Sequence, residues 1–199
     1  MKETSDFNRI MKTHILRKIF ASVFVVFLTA SLAAAIQQTD KWITYTSPEG
    51  RYSISLPVQP ALKTQESTSA DGEKFPQFIA VASDADIVFL VGYFDVSPGS
   101  NFSVDLALDA MVQKVSGKIV SENPINLGTY PGRDVNVAMK LNVPSTEGEP
   151  SSQTDYIDHL RMYEAGKRVY ILQALFPKAL ESEAVARVTK YFDSFQVKN

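Results

Sequence analysis

The chain has no cysteine in its 199 residues. That excludes disulfides, thiolate metal sites and a cysteine nucleophile. It also excludes the lipid attachment that bacterial lipoproteins make through a cysteine following their export signal. Histidine is nearly as scarce, and of the two present only His159 lies beyond the amino-terminal segment. No P-loop, G-x-G-x-x-G fingerprint or G-x-S-x-G elbow occurs, so nucleotide cradling and the common serine-hydrolase turn have no sequence support. Basic residues are dispersed rather than gathered into a patch, which argues against DNA or RNA as a partner.

What is present is an ordinary globular composition, 45% hydrophobic and 21% charged, without a biased tract. The length suits one domain. A chain of this size buries roughly 70% of its unfolded surface and needs no disulfides to hold a core.

The amino terminus reads as an export signal. Lys12, His14, Arg17 and Lys18 are followed by an apolar run from Ile19 through Leu32, closing on Ala33-Ala34-Ala35. Small residues at Ala33 and Ala35 form the A-x-A pattern of signal peptidase, placing cleavage before Ile36. Met11 stands just ahead of the basic region and offers an alternative start, which would set residues 1–10 aside. The competing reading keeps residues 19–35 as a membrane anchor, at the short limit for spanning a bilayer. Cleavage would leave 15 basic and 20 acidic residues. The expected organisation is a signal over 1–35, a spacer over 36–41 and one domain over 42–199.

Within that domain, Trp42–Tyr45 predicts a strand, and Tyr52-Ser53-Ile54-Ser55-Leu56 alternates so that Tyr52, Ile54 and Leu56 share a buried face. Asp71-Gly72 predicts a hairpin turn between a polar edge strand from about Leu62 and an apolar strand from Phe75 to Ala82. The nearly continuous apolar run Ile87–Phe94 suits a central strand covered on both faces. Val104, Leu108, Met111, Val112 and Val115 define one face of a helix, with Ser103 as N-cap and Gly117 as a left-handed C-cap. Strands are expected at 118–122, 125–127 and 134–140, with Tyr130-Pro131-Gly132-Arg133 as a type II turn. Residues 143–154 read as a loop, and strands at 155–163 and 168–176 flank a hairpin at Glu164–Lys167. The last element is an amphipathic helix with Val185, Val188, Phe192 and Phe195 on one side and Glu183 pairing with Arg187. The fold class is α+β: an antiparallel β-sheet sandwiched between helices, an α/β/α sandwich.

Trp42 through Pro57, W-x-x-Y-x-S-P-E-G-R-Y-S-I-S-L-P, resembles the opening of Mog1/PsbP-like domains. Tyr130-Pro131-Gly132-Arg133 and Tyr191-Phe192-Asp193-Ser194-Phe195 match further parts of that family, so the likeness spans most of residues 42–197. The resemblance implies an antiparallel sheet between helices. The family includes lumenal and periplasmic proteins tied to photosystem II, a nuclear Ran-binding protein and many exported bacterial proteins. The lipid-anchoring cysteine usual in photosynthetic bacterial members is missing, which argues against a photosystem role.

His159 is the one histidine available for chemistry in the domain. Strand alternation puts Ile157, His159 and Arg161 on one face and Tyr156, Asp158 and Leu160 on the other. A metal site at His159 would need ligands from other strands, with Asp134 and Glu164 as candidates. Asp84, Asp86 and Asp95 could pair as carboxylates, although turn chemistry accounts for them better. Trp42, Tyr45 and Tyr52 could form a binding patch, or fill the core. Within residues 143–154, Ser145, Thr146, Glu147, Glu149 and Ser151 form a candidate recognition loop.

The expected function is that of a non-catalytic exported domain that binds, or assists assembly of, an envelope protein or complex. Its destination would be the periplasm or the exterior, or the lumen in a photosynthetic host. No cofactor is expected, and no membrane contact after cleavage. The alternative is a metal- or small-ligand-binding protein or enzyme centred on His159.

Overall fold

The computed structural model describes residues 42–68, 74–97, 99, 102–143 and 152–198. The expected export signal with Ala33, Ala35 and Ile36, the expected Asp71-Gly72 turn, and the candidate loop residues Ser145, Thr146, Glu147, Glu149 and Ser151 lie outside them.

In chain order the strands are β1 (Ile43–Ser47), β2 (Tyr52–Leu56), β3 (Ala61–Thr68), β4 (Lys74–Asp84) and β5 (Ile87–Asp95). Helix α1 (Val104–Lys114) follows, then β6 (Lys118–Leu127), β7 (Tyr130–Val143), β8 (Ser152–Ala165) and β9 (Arg168–Pro177). A single 3-10 turn leads into α2 (Glu181–Asp193), and β10 (Gln196–Val197) ends the fold. Seven strands form one antiparallel sheet in the order β3-β4-β5-β9-β8-β7-β6, and β1-β2-β10 form a second, smaller one. Among the described residues no helix is long and apolar enough to cross a membrane.

Alternation along the central strands divides the core in two. Ile87, Phe89, Val91 and Tyr93 of β5 join Tyr170, Leu172 and Ala174 of β9 in one cluster, completed by β2 and α2. Phe94, Leu160, Met162, Val169 and Ile171 join Val104 and Leu108 of α1 in the other. Ile87, Phe89, Val91 and Leu172 are wholly buried, as the unbroken apolar run of β5 requires. Tyr52, Ile54 and Leu56 are buried as expected, and β3 is an edge strand. The antiparallel sheet therefore stands. The helical layers expected on either side are thin: there is one helix per cluster, and α2 shares its cluster with the small sheet.

Local expectations fail at four places. Tyr130–Arg133 is not a turn but the start of β7, and the reversal falls earlier, where Gly128 has φ 61°. Gly132 is needed for close approach, since a Cβ there would overlap the Met162 carbonyl of β8. At the end of α1 the left-handed residue is Ser116, φ 51°, not Gly117. Gly117 N–H donates to the Val112 carbonyl at 3.0 Å and Ser116 N–H to that of Gln113 at 3.1 Å, a Schellman closure. A Cβ on Gly117 would lie 2.5 Å from Val137, so packing explains that glycine. Val185 is 57% exposed, and Tyr191 takes its place among the buried residues of α2. Arg187 reaches Asp84 at 3.2 Å rather than serving Glu183. The loop between β7 and β8 is also shorter than residues 143–154, because both strands pair up to Val143↔Ser152.

Candidate functional site

His159 lies on β8, facing the α2 cluster, and its Nε2–H donates to Asp134 Oδ1 of β7 at 2.9 Å. Arg161, two residues on, donates from Nε to Asp134 Oδ2 at 2.6 Å. Burial alone would raise the Asp134 pKa, but the hydrogen bonds from His159 and Arg161 outweigh it and hold the carboxyl below its ordinary value. The ring of Phe192 on α2 packs against both, with the imidazole centroid 4.6 Å away and the Arg161 guanidinium 4.6 Å above it. Of the two proposed ligand partners, Asp134 does reach His159, but it is committed to a cation on its other oxygen. Glu164 has the parity of Asp158, Leu160 and Met162 and belongs to the opposite face. Among the described residues no three His, Asp or Glu side chains converge as metal ligands would. The arrangement is that of a packed ion-pair network.

Asp158 adjoins His159 in sequence and faces the α1 cluster. Gln173 Nε2 donates to its Oδ2 at 2.9 Å, and burial pushes its pKa up to about 7 against that one hydrogen bond. Asp158 Oδ1, Gln173 Oε1 and Lys114 Nζ are enclosed without hydrogen-bond partners.

The other sequence candidates disperse. Asp84 holds Arg187, while Asp95 holds Arg168 at the other end of β5. Tyr52 is core, and Trp42 packs edge-on against Phe89 with ring centroids 5.4 Å apart.

A cleft of about 610 Å³ opens where β5 and β8 end and β7 and β9 begin. Its cations are Arg51 from the β1–β2 turn, Lys167 from the β8–β9 turn, Arg168 of β9 and Lys198 after β10. The one acid among the described lining residues, Asp95, is spent on Arg168: Nε to Oδ1 and Nη2 to Oδ2, both 2.7 Å. That fork of hydrogen bonds depresses the Asp95 pKa even though burial opposes it. Arg168 also donates from Nη1 to the Glu49 carbonyl at 2.7 Å and lies 4.4 Å above the Tyr93 ring. Arg168 is thus fixed from three sides, a rigid wall of the kind that preorganised recognition needs. Val96, Ala165, Val197 and Tyr130 supply apolar lining between the charges. The β1–β2 turn is tied down from below, because Tyr170 Oη donates to the Gly50 carbonyl at 2.8 Å.

Sequence reasoning missed this cleft, whose four cations are scattered from position 51 to position 198. One signal was available: Gly50-Arg51 and Gly166-Lys167 both place a cation directly after a glycine in a tight turn. The candidate recognition loop joins the far ends of β7 and β8. Along its 14 residues, the far end of β7 at Val143 lies roughly 40 Å from the end at Tyr130 that lines the cleft.

No family model matches the sequence, and no curated protein matches it. Among solved structures, the fold is similar to the solution structure of cyanobacterial PsbP (CyanoP) from Synechocystis, with TM-score 0.52 and 9% identity over 85% of this chain and 98% of that one. A protein from Bacteroides thetaiotaomicron matches at TM-score 0.39 and 16% identity, over 78% of this chain and 48% of that one. A protein of unknown function from Pseudomonas aeruginosa matches at 0.38 and 11%, over 74% and 92%. The fold is PsbP/Mog1-like, as the motifs at the start, middle and end of the domain implied.

Proposed function

We propose that this PsbP-like domain is a non-catalytic accessory module, exported from the cytoplasm, which binds an envelope protein or assists its assembly through the cationic cleft. The observation that carries the reading is the cleft itself. Among the described residues four of its lining side chains are cations, and the one carboxylate among them is committed to Arg168. Such a surface holds and orients an anionic partner, whereas acid–base chemistry calls for a group poised to exchange a proton. The charge contrast supports the same reading, since the chain as a whole carries more Asp and Glu, 22, than Lys and Arg, 20. Export rests on the signal pattern of residues 1–35, whose cleavage would give a chain beginning at Ile36.

The test is crosslinking of the tagged protein in its native host, with intact-mass measurement of the purified chain. A reproducible envelope partner and a mass starting at Ile36 are the expected results. Capture of no partner would contradict the binding role, and retention of residues 19–35 would make the protein anchored instead.

A further inference from the structure

Taking the cleft as the binding face, as the preceding reading does, we propose that its occupant is an extended acidic protein segment, with carboxylates spaced along the chain and apolar side chains between them. Three features of the cleft lead there. Among the described lining residues four cations face one carboxylate, which Arg168 holds, and Lys198 Nζ donates to the neutral Gln196 Oε1 at 3.1 Å, which leaves its charge uncompensated. Arg51, Lys167 and Lys198 come from three separate chain segments that the fold brings to one cleft, where the Lys198 N–H donates to the Arg51 carbonyl at 2.7 Å. Volume agrees: about 610 Å³ falls within the range of roughly 300–1,000 Å³ for clefts that bury a drug-sized ligand. Val96, Val197 and Tyr130 offer surface that a bare inorganic anion has no use for.

Arg51 adds an independent indication. It sits at φ 53°, in the left-handed region that a side chain with a Cβ enters at a cost. The turn would form more easily with glycine there, yet the position carries a guanidinium exposed at the cleft. Nearby Arg51 also helps hold Asp95 ionised, so it belongs electrostatically to the same site.

The test is fluorescence anisotropy on the protein purified from its native envelope, using a labelled hexapeptide alternating glutamate and valine. A lysine–valine counterpart serves as control, and inorganic phosphate at matched ionic strength as competitor. The expected result is binding of the acidic peptide only, weakening steeply from about 50 to 200 mM salt as screening sets in. Arg51→Gly should weaken it about fivefold and Lys167→Ala/Lys198→Ala about tenfold, each removing interfacial charge. Arg51→Gly relieves the backbone, so its melting temperature should hold or rise, which separates lost binding from lost folding. No binding at low salt, or equal binding by the Lys167→Ala/Lys198→Ala variant, overturns the proposal. Displacement by phosphate at matched ionic strength also overturns it, reassigning the cleft to a small anion. Failure here together with an envelope partner captured in cells would sink the acidic segment and leave the binding role standing. Peptide binding without any cellular partner would do the reverse.

Discussion

Asp134 and Asp158 are both enclosed carboxylates on neighbouring strands, yet they lie on opposite faces of the sheet and respond to pH in opposite ways. Asp134 has a cation on one oxygen and the His159 N–H on the other, and its pKa is depressed despite burial. Asp158 has a single neutral donor, Gln173, and burial pushes it up to about 7. The faces differ because His159 and Arg161 share the parity that points toward α2, while Asp158 points into the apolar cluster under α1. The two atoms of this pair left without partners, Asp158 Oδ1 and Gln173 Oε1, are those that the second hydrogen bond of a carboxylic acid–amide pair would join. A proton on Asp158 therefore satisfies both at once. Asp134 is held as an anion between two donors, while Asp158, enclosed with one neutral donor, keeps its proton up to about pH 7.

The largest effect should come from breaking the Asp158 side. Folding raises its pKa from about 3.9 toward 7, so the native state holds the extra proton across that window. Its contribution is complete below about pH 4 and is lost as pH rises through 7, on the order of 4 kcal/mol in all. Asp158→Asn keeps an amide pair with Gln173 and removes the titration. Urea unfolding at pH 8 should show that variant more stable by about 2–4 kcal/mol, with little change at pH 4. A variant that loses stability at both pH values would contradict the neutral-acid reading.

Asp134→Ala should act in the opposite sense, costing about 2–3 kcal/mol at pH 7, because His159 loses its acceptor and Arg161 is left with the longer 3.7 Å pair to Asp193. A depressed carboxyl contributes stability above its unfolded pKa and loses it as pH falls, so the cost of that substitution should shrink toward pH 2. Equal costs at pH 7 and pH 2 would mean the carboxylate's charge does not matter. Smallest is His159→Ala, about 1–2 kcal/mol, because Arg161 still holds Asp134 and only one hydrogen bond and the Phe192 contact are lost. This variant should keep its cellular function. A stable His159→Ala protein without function would revive the histidine-centred alternative.

How far the sequence could be read follows from which forces act locally. The β5 run and the alternation of β2 declared their burial because side-chain composition reports burial directly. The turn at Tyr130–Arg133 misled because a glycine required for close approach, as Gly132 is beneath Met162, looks in sequence like a glycine required for a turn. Gly117 misled in the same way, with Ser116 taking the left-handed position beside it. Val185 was misplaced because the buried face of α2 is set by what the helix covers. Asp134 was legible as a possible partner of His159, but its second cation was not. The cleft was hardest to see: its charges meet only once four distant segments have been brought to one end of the sheet.

The most direct test of the cleft as the binding face is a photo-crosslinking residue placed at Lys167 and, separately, at exposed Leu62 on edge strand β3, in the native host. One envelope protein should be captured from Lys167 and not from Leu62, with an acidic segment at the crosslinked position. Capture from Leu62 alone, or equally from both positions, would contradict it.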